Sequence, residues 1–270
     1  MDTITIRKND ADSRLSVPRY RIDFYNSQGR ELYLHSDKEF SATEEGRLWV
    51  FEIREVITFF WISGEKEVKY ICHKKYTEEL LKYWSLHTIL PFFFMLEEHY
   101  GFIHAGAIEV KGKPILFIAK SNGGKSTMTD FFIKKGHTMI SDDKVPLVTR
   151  DDQIIATSSH PHHRPYRKVE DLGFFVENFA TTPKPVHAIY ELKKSTKDAE
   201  VTISELTGME KFQRLHLSNP LYLFFLKKDN FKFATEIANR IPVYCVTVPW
   251  DKERLQEVYD KIKEHNTHQS

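Results

Sequence analysis

The stretch IHAGAIEVKGKPILFIAKSNGGKSTMTDFFIKKGHTMISDDKVPLV, from Ile103 to Val148, decides the fold of this protein. It contains the apolar run PILFIA, then the loop AKSNGGKST (119–127), then a segment with helically spaced apolar residues that ends before Gly136. The strand-like run TMIS follows, and two aspartates stand at its end. Strand, glycine-rich loop, helix and strand in this order predict an α/β unit that binds phosphate.

The loop matches the pattern G-x-x-x-x-G-K-[ST] except at its first position, where Ala119 replaces glycine. That position closes a strand, so alanine is tolerated as long as its φ stays negative. Asn122 is a residue type that accepts the left-handed region, and Gly123 and Gly124 supply the remaining backbone freedom. The loop amides are expected to point at phosphate oxygens, at the start of a helix whose dipole favours anions.

Two side chains of the loop carry charge and metal chemistry. Lys125 is expected to contact the β- and γ-phosphates, and Ser126 to reach Mg²⁺. The candidate nucleotide-binding residues are Ala119, Lys120, Ser121, Asn122, Gly123, Gly124, Lys125, Ser126 and Thr127.

The residues on either side of the loop narrow the reaction class. Asp142 comes 17 residues after Lys125, and Asp143 follows it, so a strand–loop–helix–strand unit brings loop and carboxylates to one edge of a sheet. One carboxylate can hold Mg²⁺ while its neighbour faces a nucleophile, which suits phosphoryl transfer. His104 lies 21 residues before Lys125, where it is either a core histidine or part of the same site.

His104, the loop AKSNGGKST and the run SDD at these spacings resemble the catalytic core of the HPr kinase/phosphorylase family. The resemblance implies a P-loop kinase domain with a mixed sheet, similar to phosphoenolpyruvate carboxykinase, that phosphorylates a serine on a protein. It implies that His104 lies near the phosphates and that Lys125 and the loop amides bind the nucleotide. It further implies that Asp142 is the catalytic base and that Ser126 and Asp143 form the metal site.

The β-rich beginning of the chain, the LHTILPF segment and the late PVY strand look more like HPr-kinase-related proteins of peptide-modification gene clusters. Those include kinases of lasso-peptide precursors. The function implied is an ATP- and Mg²⁺-dependent kinase acting on a serine of a peptide or protein. A kinase of a free small molecule, an HPr kinase/phosphorylase proper and a non-catalytic nucleotide-binding module remain alternatives. Acceptor, phosphate donor, phosphorylase activity and oligomeric state stay open.

The wider pattern predicts an α/β (α+β) protein in two parts, a β-rich part over 1–76 and the catalytic domain over 77–270. A helix is expected from the cap Thr77 to a stop at Gly101, with a kink at Pro91, and Gly136 is expected to cap the helix after the loop. FIHAGAIEV and PILFIA are expected to be two strands. Later strands are expected in QIIATSS, PVHAIYELKK and IPVYCVTVP, and helices in LSNPLYLFFLKKDNFKFATEIANR and DKERLQEVYDKIKEH.

The composition argues against a disordered chain, a nucleic-acid-binding protein and a membrane protein. Among 270 residues, 41% are hydrophobic, which is ample for a core, and 39 Lys+Arg nearly balance 38 Asp+Glu, which gives no reason to expect nucleic acid as a partner. The polar beginning of the chain and the eight-residue apolar run ILPFFFML predict no membrane partner and a cytoplasmic location. Cys72 and Cys245 stand in no motif and are expected to be reduced thiols.

The run HPHHRPYRK (160–168) permits three interpretations. It is an ordinary surface loop, a loop at the active site in which Arg164 or Arg167 meets phosphate or an acidic peptide, or a zinc site built from its histidines. Those histidines are His160, His162 and His163. The aromatic strands before residue 76 are expected to form core, with peptide docking at an exposed strand edge as the alternative.

Overall fold

The computed structural model describes residues 4–9, 18–25, 30–41, 44–165, 168, 170–220 and 223–268. The chain divides into two compact units, one formed by residues 1–98 with 169–171 and the other by 99–168 with 172–270. The division expected from the sequence, after residue 76, differs from this one because the helical segment that follows packs on the first sheet. The ring of Phe92 meets that of Trp49 edge-on at 5.2 Å, and Phe93 lies 5.0 Å from Trp61.

The first unit contains a six-stranded sheet, which confirms the β-rich beginning predicted for the chain, although β1 was not predicted. Its strands are β1 (Thr5–Lys8), β2 (Tyr20–Tyr25), β3 (Glu31–Ser36), β4 (Leu48–Ile53), β5 (Ile57–Ile62) and β6 (Glu67–Cys72). They lie in the order β1-β6-β5-β4-β3-β2, and every neighbouring pair is antiparallel except β1 with β6. Trp49, Phe59 and Trp61 are buried, as the core interpretation of these strands predicts.

A helical segment follows this sheet. It consists of α1 (Glu78–Trp84), a π-helical turn (Ser85–Ile89) and α2 (Leu90–Glu97). The predicted cap is confirmed, because Oγ1 of Thr77 accepts a hydrogen bond from the Leu80 amide at 3.2 Å. The irregularity expected at Pro91 occurs one turn earlier, as the π-helical turn, and Pro91 itself lies in the first turn of α2.

Two expectations around Gly101 are wrong. The helix ends at Glu97, and Gly101 begins a strand in which a Cβ would lie 2.1 Å from the ring of Phe233, so close packing is what requires this glycine. FIHAGAIEV is two strands instead of one, β7 (Gly101–Ile103) and β8 (Gly106–Val110), which belong to different sheets. His104 therefore lies in the connection between two sheets.

The second unit contains the remaining elements. Its further strands are β9 (Lys113–Ala119), β10 (Thr138–Asp142), β11 (Val145–Arg150), β12 (Gln153–Ala156), β13 (His162–His163), β14 (Phe174–Phe175), β15 (Lys184–Pro185), β16 (Ala188–Ser195), β17 (Ile203–Leu206) and β18 (Val243–Pro249). Its helices are α3 (Lys125–Lys134), α4 (Gly208–Leu217), α5 (Lys227–Arg240) and α6 (Leu255–His268). The strands predicted after the loop are confirmed, whereas α5 covers only the second part of the helix predicted over 217–240, and β11, β17 and α4 were not predicted. Gly136 has the positive φ of 88° expected of a residue that caps α3.

The main sheet of this unit has the strand order β10-β8-β9-β16-β18-β17. The neighbours β9, β16 and β18 are parallel, whereas β8 runs antiparallel to both β9 and β10. The sheet is therefore mixed and the protein is of the α+β type, as predicted. Because β10 has the same direction as β9, the loop after β9 and the aspartates after β10 leave the sheet at one edge.

Helices and a second sheet cover the two faces of the main sheet. On one face, Phe132 of α3 lies 5.0 Å from Phe117 and 4.7 Å from Tyr259 of α6, ring centre to ring centre. The other face packs against α4, α5 and the four-stranded sheet β15-β12-β11-β7. No helix among the described residues is long and apolar enough to cross a membrane.

Candidate functional site

The loop between β9 and α3 has the backbone geometry that the sequence predicted. Asn122 and Gly124 have positive φ values of 62° and 91°, whereas Ala119 ends β9 without one. A Cβ on Gly123 would lie 2.8 Å from the carbonyl oxygen of Lys120 and 2.9 Å from Cβ of Ala119, so only glycine fits there. Alanine at the first position is thus compatible with the loop, as expected.

Lys125 opens α3 and points back over the edge of the sheet. Its side chain is buried, and its Nζ lies 3.7 Å from Oδ1 of Asp142. Oγ1 of Thr129 donates to the carbonyl oxygen of Lys125 at 3.0 Å, which fixes the first turn of the helix. Ser126 is half-buried beside it, and Thr127 is exposed. The lysine at the start of the helix is therefore aimed at the first aspartate.

The two aspartates point in different directions and have different partners. Asp142 ends β10 and is 2% exposed, whereas Asp143 adopts a left-handed φ of 67° and keeps 28% of its side chain exposed. Asp142 faces Lys125, and Asp143 faces His104. The left-handed residue after the strand is what turns the second carboxylate away from the first.

His104 lies against the second aspartate. Its Nδ1 is 2.9 Å from the carbonyl oxygen of Asp143 and 3.2 Å from the carboxylate Oδ1, so Nδ1 carries the hydrogen. The backbone N–H of His104 donates to the carbonyl oxygen of Ser218, just beyond α4, at 2.6 Å. The histidine is thus part of the site and not of the core.

The charges at this edge keep both carboxyl groups ionised. Burial acts to raise the pKa of Asp142, but the Lys125 ammonium and the hydrogen bond from His163 outweigh it and hold that pKa below its ordinary value. At Asp143, burial is likewise outweighed, chiefly by the hydrogen bond from His104 and the charge of Lys125. Burial lowers the pKa of Lys144 to about 8, against the effect of the Asp143 carboxylate.

Two residues of the run HPHHRPYRK lie at this site. Arg164 was one of the residues expected at the active site, whereas His163 was considered only as a zinc ligand. His163 is 2% exposed, and its Nδ1–H donates to Oδ2 of Asp142 at 2.8 Å. The backbone N–H of Arg164 donates to the same oxygen at 3.1 Å, and a guanidinium nitrogen of Arg164 lies 3.5 Å from Oδ2 of Asp143. The ordinary-surface-loop interpretation is therefore wrong for these two residues, whereas Arg167 lies outside the described residues.

The zinc interpretation of this run has no support, because no three His, Cys, Asp or Glu side chains of the described chain are arranged to hold a metal ion. The role of His163 was missed because its partner is 21 residues away in the sequence and no local pattern joins the two. The only signal available was a cluster of histidines stiffened by prolines.

A second buried carboxylate, which sequence reasoning also missed, lies one strand from the loop. Glu191 in β16 is 6% exposed, and Nε of Arg214 in α4 lies 3.3 Å from its Oε2. Burial raises the pKa of Glu191, while Arg214 and then Lys120 act in the opposite direction. The signal in the sequence was a glutamate inside the otherwise apolar run AIYEL, where a charge needs a buried partner.

No protein-family model matches the chain, and no curated protein matches it. Among solved structures, the HPr(Ser) kinase/phosphatase from Coxiella burnetii is similar to 62% of this chain, over 96% of its own length. The sequence identity is 13% and the TM-score is 0.39. Values this low do not establish a shared fold or a shared activity.

Proposed function

We propose that the protein is an ATP- and Mg²⁺-dependent kinase that transfers the γ-phosphoryl group to a serine hydroxyl of a peptide or protein. The observation that carries the proposal is the convergence of loop, lysine and aspartates at one sheet edge, with Nζ of Lys125 3.7 Å from Asp142 and His104 on Asp143. The choice of a serine in a peptide or protein rests on the sequence resemblance.

The loop and the first turn of α3 suit a triphosphate. Gly123 and Gly124 leave the backbone free to approach phosphate oxygens, and Lys125 supplies a positive charge. Ser126 and Asp143 would hold Mg²⁺ together with phosphate oxygens, because Mg²⁺ prefers a few hard oxygen ligands and keeps several waters. When bound, the metal would neutralise charge on the transferring group.

Asp142 is proposed to accept the proton of the attacking hydroxyl. The acceptor oxygen forms a bond to the γ-phosphorus, the bond from that phosphorus to the β-bridging oxygen breaks, ADP leaves with the electron pair, and the proton passes to the carboxylate. His163 and the Arg164 amide occupy Oδ2 of Asp142. Oδ1 is buried, accepts no hydrogen bond from the described residues and lies 3.7 Å from Nζ of Lys125, and the proposal assigns the proton to this oxygen.

The reverse assignment gives Asp143 the proton and leaves Asp142 to position Lys125. It is favoured by exposure, because the Asp143 side chain is 28% exposed and Asp142 lies beneath its partners. Asp142→Asn and Asp143→Asn, measured side by side with phosphoryl transfer and Mg²⁺ dependence, separate the two. The base variant loses turnover at saturating Mg²⁺, whereas the metal-site variant recovers part of it as Mg²⁺ is raised.

Mass spectrometry of candidate serine peptides incubated with enzyme, ATP and Mg²⁺ tests the proposal. We expect a phosphorylated product, and a loss of at least about 100-fold in rate for Lys125→Ala and Asp142→Asn, the size typical of removing a proton acceptor or a phosphate-binding charge. Lys232→Ala and Asp152→Asn, at exposed positions away from the loop, are the matched controls and should keep the wild-type rate.

A non-catalytic nucleotide-binding module is the second candidate, and the burial of Asp142 in its pair with Lys125 favours it. Such a protein would bind ATP, leave it intact and modify neither peptides nor free serine. Tight binding of unhydrolysed ATP with no phosphorylated acceptor would reject the kinase and leave this module. Phosphorylation of free serine without any peptide would keep the chemistry but reject the peptide acceptor.

A further inference from the structure

One tryptophan of this protein differs from the other three. Trp49, Trp61 and Trp84 are 3%, 5% and 3% exposed, whereas Trp250 is 46% exposed. Large aromatic side chains stabilise proteins by burial, so an indole ring left in solvent contributes little to the core. The exposure of Trp250 matters because the ring lies beside the phosphate loop.

Trp250 follows β18 and reaches the phosphate loop. A Cβ placed on Gly124 would lie 3.4 Å from Cζ3 and 3.9 Å from Cη2 of the indole, so the edge of the ring borders the residue that leads into α3. The carboxyl ends of β9, β16 and β18 lie at the same edge of the sheet, which is why residues 126 positions apart meet there.

A cation lies on the same ring. Nζ of Lys194, near the end of β16, is 4.0 Å from the centre of the Trp250 ring. Lys194 is itself exposed, so the face that it covers is closed only by a flexible, hydrated side chain. The edge of the sheet therefore offers a loop and a buried lysine suited to phosphates and, beside them, an accessible aromatic face with a positive charge.

We infer that Trp250 is the nucleobase-binding residue, against which the base of a nucleoside triphosphate stacks while its phosphates occupy the loop. Every nucleobase has an aromatic face, and stacking on an aromatic side chain is favourable whatever the base. The base takes the position of the Lys194 ammonium on the ring, and the displaced lysine stays close to the phosphates. This inference rests on the proposed function, because it needs a nucleotide on the loop.

The test compares two ligands that share phosphates and differ in the base. Dissociation constants for MgATP and for Mg-tripolyphosphate are measured by calorimetry on the full-length wild type, Trp250→Ala and Trp250→Phe. Loss of base stacking should weaken MgATP about 5- to 150-fold in Trp250→Ala and leave tripolyphosphate within about twofold of wild type. Trp250→Phe should keep most of the ATP affinity.

A second measurement uses fluorescence, because Trp250 is the exposed tryptophan. In the wild type, the emission that acrylamide can reach is that of Trp250. MgATP should quench this emission, and tripolyphosphate should not. Phe231→Ala, which removes an exposed ring from α5, is the matched control and should change neither affinity.

Equal weakening of MgATP and tripolyphosphate in Trp250→Ala would overturn the inference, because the ring would then only support the loop. Unchanged affinity for both would overturn it as well, while leaving the phosphate site intact. A wild type that binds neither ligand would reject the proposed function, and the inference with it. Only selective loss of MgATP affinity supports a base-binding role.

Discussion

His163 shows how a single residue can have a role that its sequence context hides. It is buried, and its Nδ1 holds Oδ2 of Asp142 at 2.8 Å, while its other nitrogen lies 3.8 Å from Asp130 of α3. The hydrogen bond from His163 fixes the orientation of the carboxylate proposed to act. Of the three interpretations that the sequence left open for the run HPHHRPYRK, the zinc site has no support among the described residues.

His160, three residues earlier, gives a prediction about pH. Burial and then the nearby His162 lower the pKa of His160 to about 4, against the effect of the two aspartates. In the unfolded chain, His160 takes up a proton near pH 6.5, whereas the buried imidazole of the folded protein stays neutral until the pH nears 4. The free energy of unfolding is therefore highest above pH 6.5. It decreases as the pH falls towards 4, by up to about 1.4 kcal/mol per pH unit.

The measurement is the free energy of unfolding of wild type and His160→Gln in urea at a series of pH values. The difference between them should shrink steadily between pH 6.5 and 4 and stay constant above pH 7, which serves as the internal control. A difference that is independent of pH would mean that the pKa of His160 is the same in the folded and the unfolded protein.

At the scale of elements, the short hairpin β13–β14 holds His163 against β10. Gly173 lies between these strands with a φ of 85°, and a Cβ there would be 2.2 Å from the carbonyl oxygen of His163. Gly173→Ala must therefore displace β13 in addition to straining the backbone. We expect the free energy of unfolding to fall by about 2 to 4 kcal/mol and phosphoryl transfer to fall with it.

Gly112→Ala is the matched control for this change. Gly112 has a similar φ of 80°, but nothing lies within 4 Å of a Cβ there, so the variant suffers only the strain of about 1 to 2 kcal/mol. Chemical denaturation and the kinase assay on both variants give the comparison. Equal stability and equal activity of the two would show that the hairpin does not position His163.

Elements that short-range rules define were predicted well. Thr77 caps α1 and Gly136 follows α3 as expected, because a cap depends on a few neighbouring backbone groups. The split of FIHAGAIEV into β7 and β8 was missed, because both halves are extended and apolar. Their membership of different sheets is set by β11, which is remote in the sequence and pairs with β7, whereas β8 forms a hairpin with the adjacent β9.

At the scale of the molecule, every described residue assigned to the candidate site belongs to the unit formed by 99–168 and 172–270. A ligand that binds the folded state stabilises the structure that contains its site, by about 2.7 kcal/mol at 100 times its dissociation constant. We expect MgATP to slow amide hydrogen exchange in the loop, α3 and β10 while exchange in β2 to β6 stays unchanged.

Hydrogen exchange followed by mass spectrometry, with and without MgATP, provides the measurement. Lys125→Ala is the control, because it retains both units but loses the charge that holds the phosphates. Slower exchange spread equally over both units in the wild type would contradict confinement of the effect to the second unit.

The sequence by itself determined the local chemistry of this protein. The loop with its glycines, the lysine that opens α3, and the aspartates after β10 follow from residue types at fixed short spacings, because backbone conformation and helix capping are set by near neighbours. These features could be predicted, including the compatibility of Ala119 with its position.

Only the tertiary structure decided how those residues are used. It buries Asp142 beneath His163, turns Asp143 towards His104, and brings Trp250 to the edge of Gly124. Each of these contacts joins residues from separate elements, so it depends on strand order, register and burial across the whole sheet. No short stretch of sequence encodes those quantities, which is why sequence reasoning missed His163 and Glu191 and could not predict the geometry of the site.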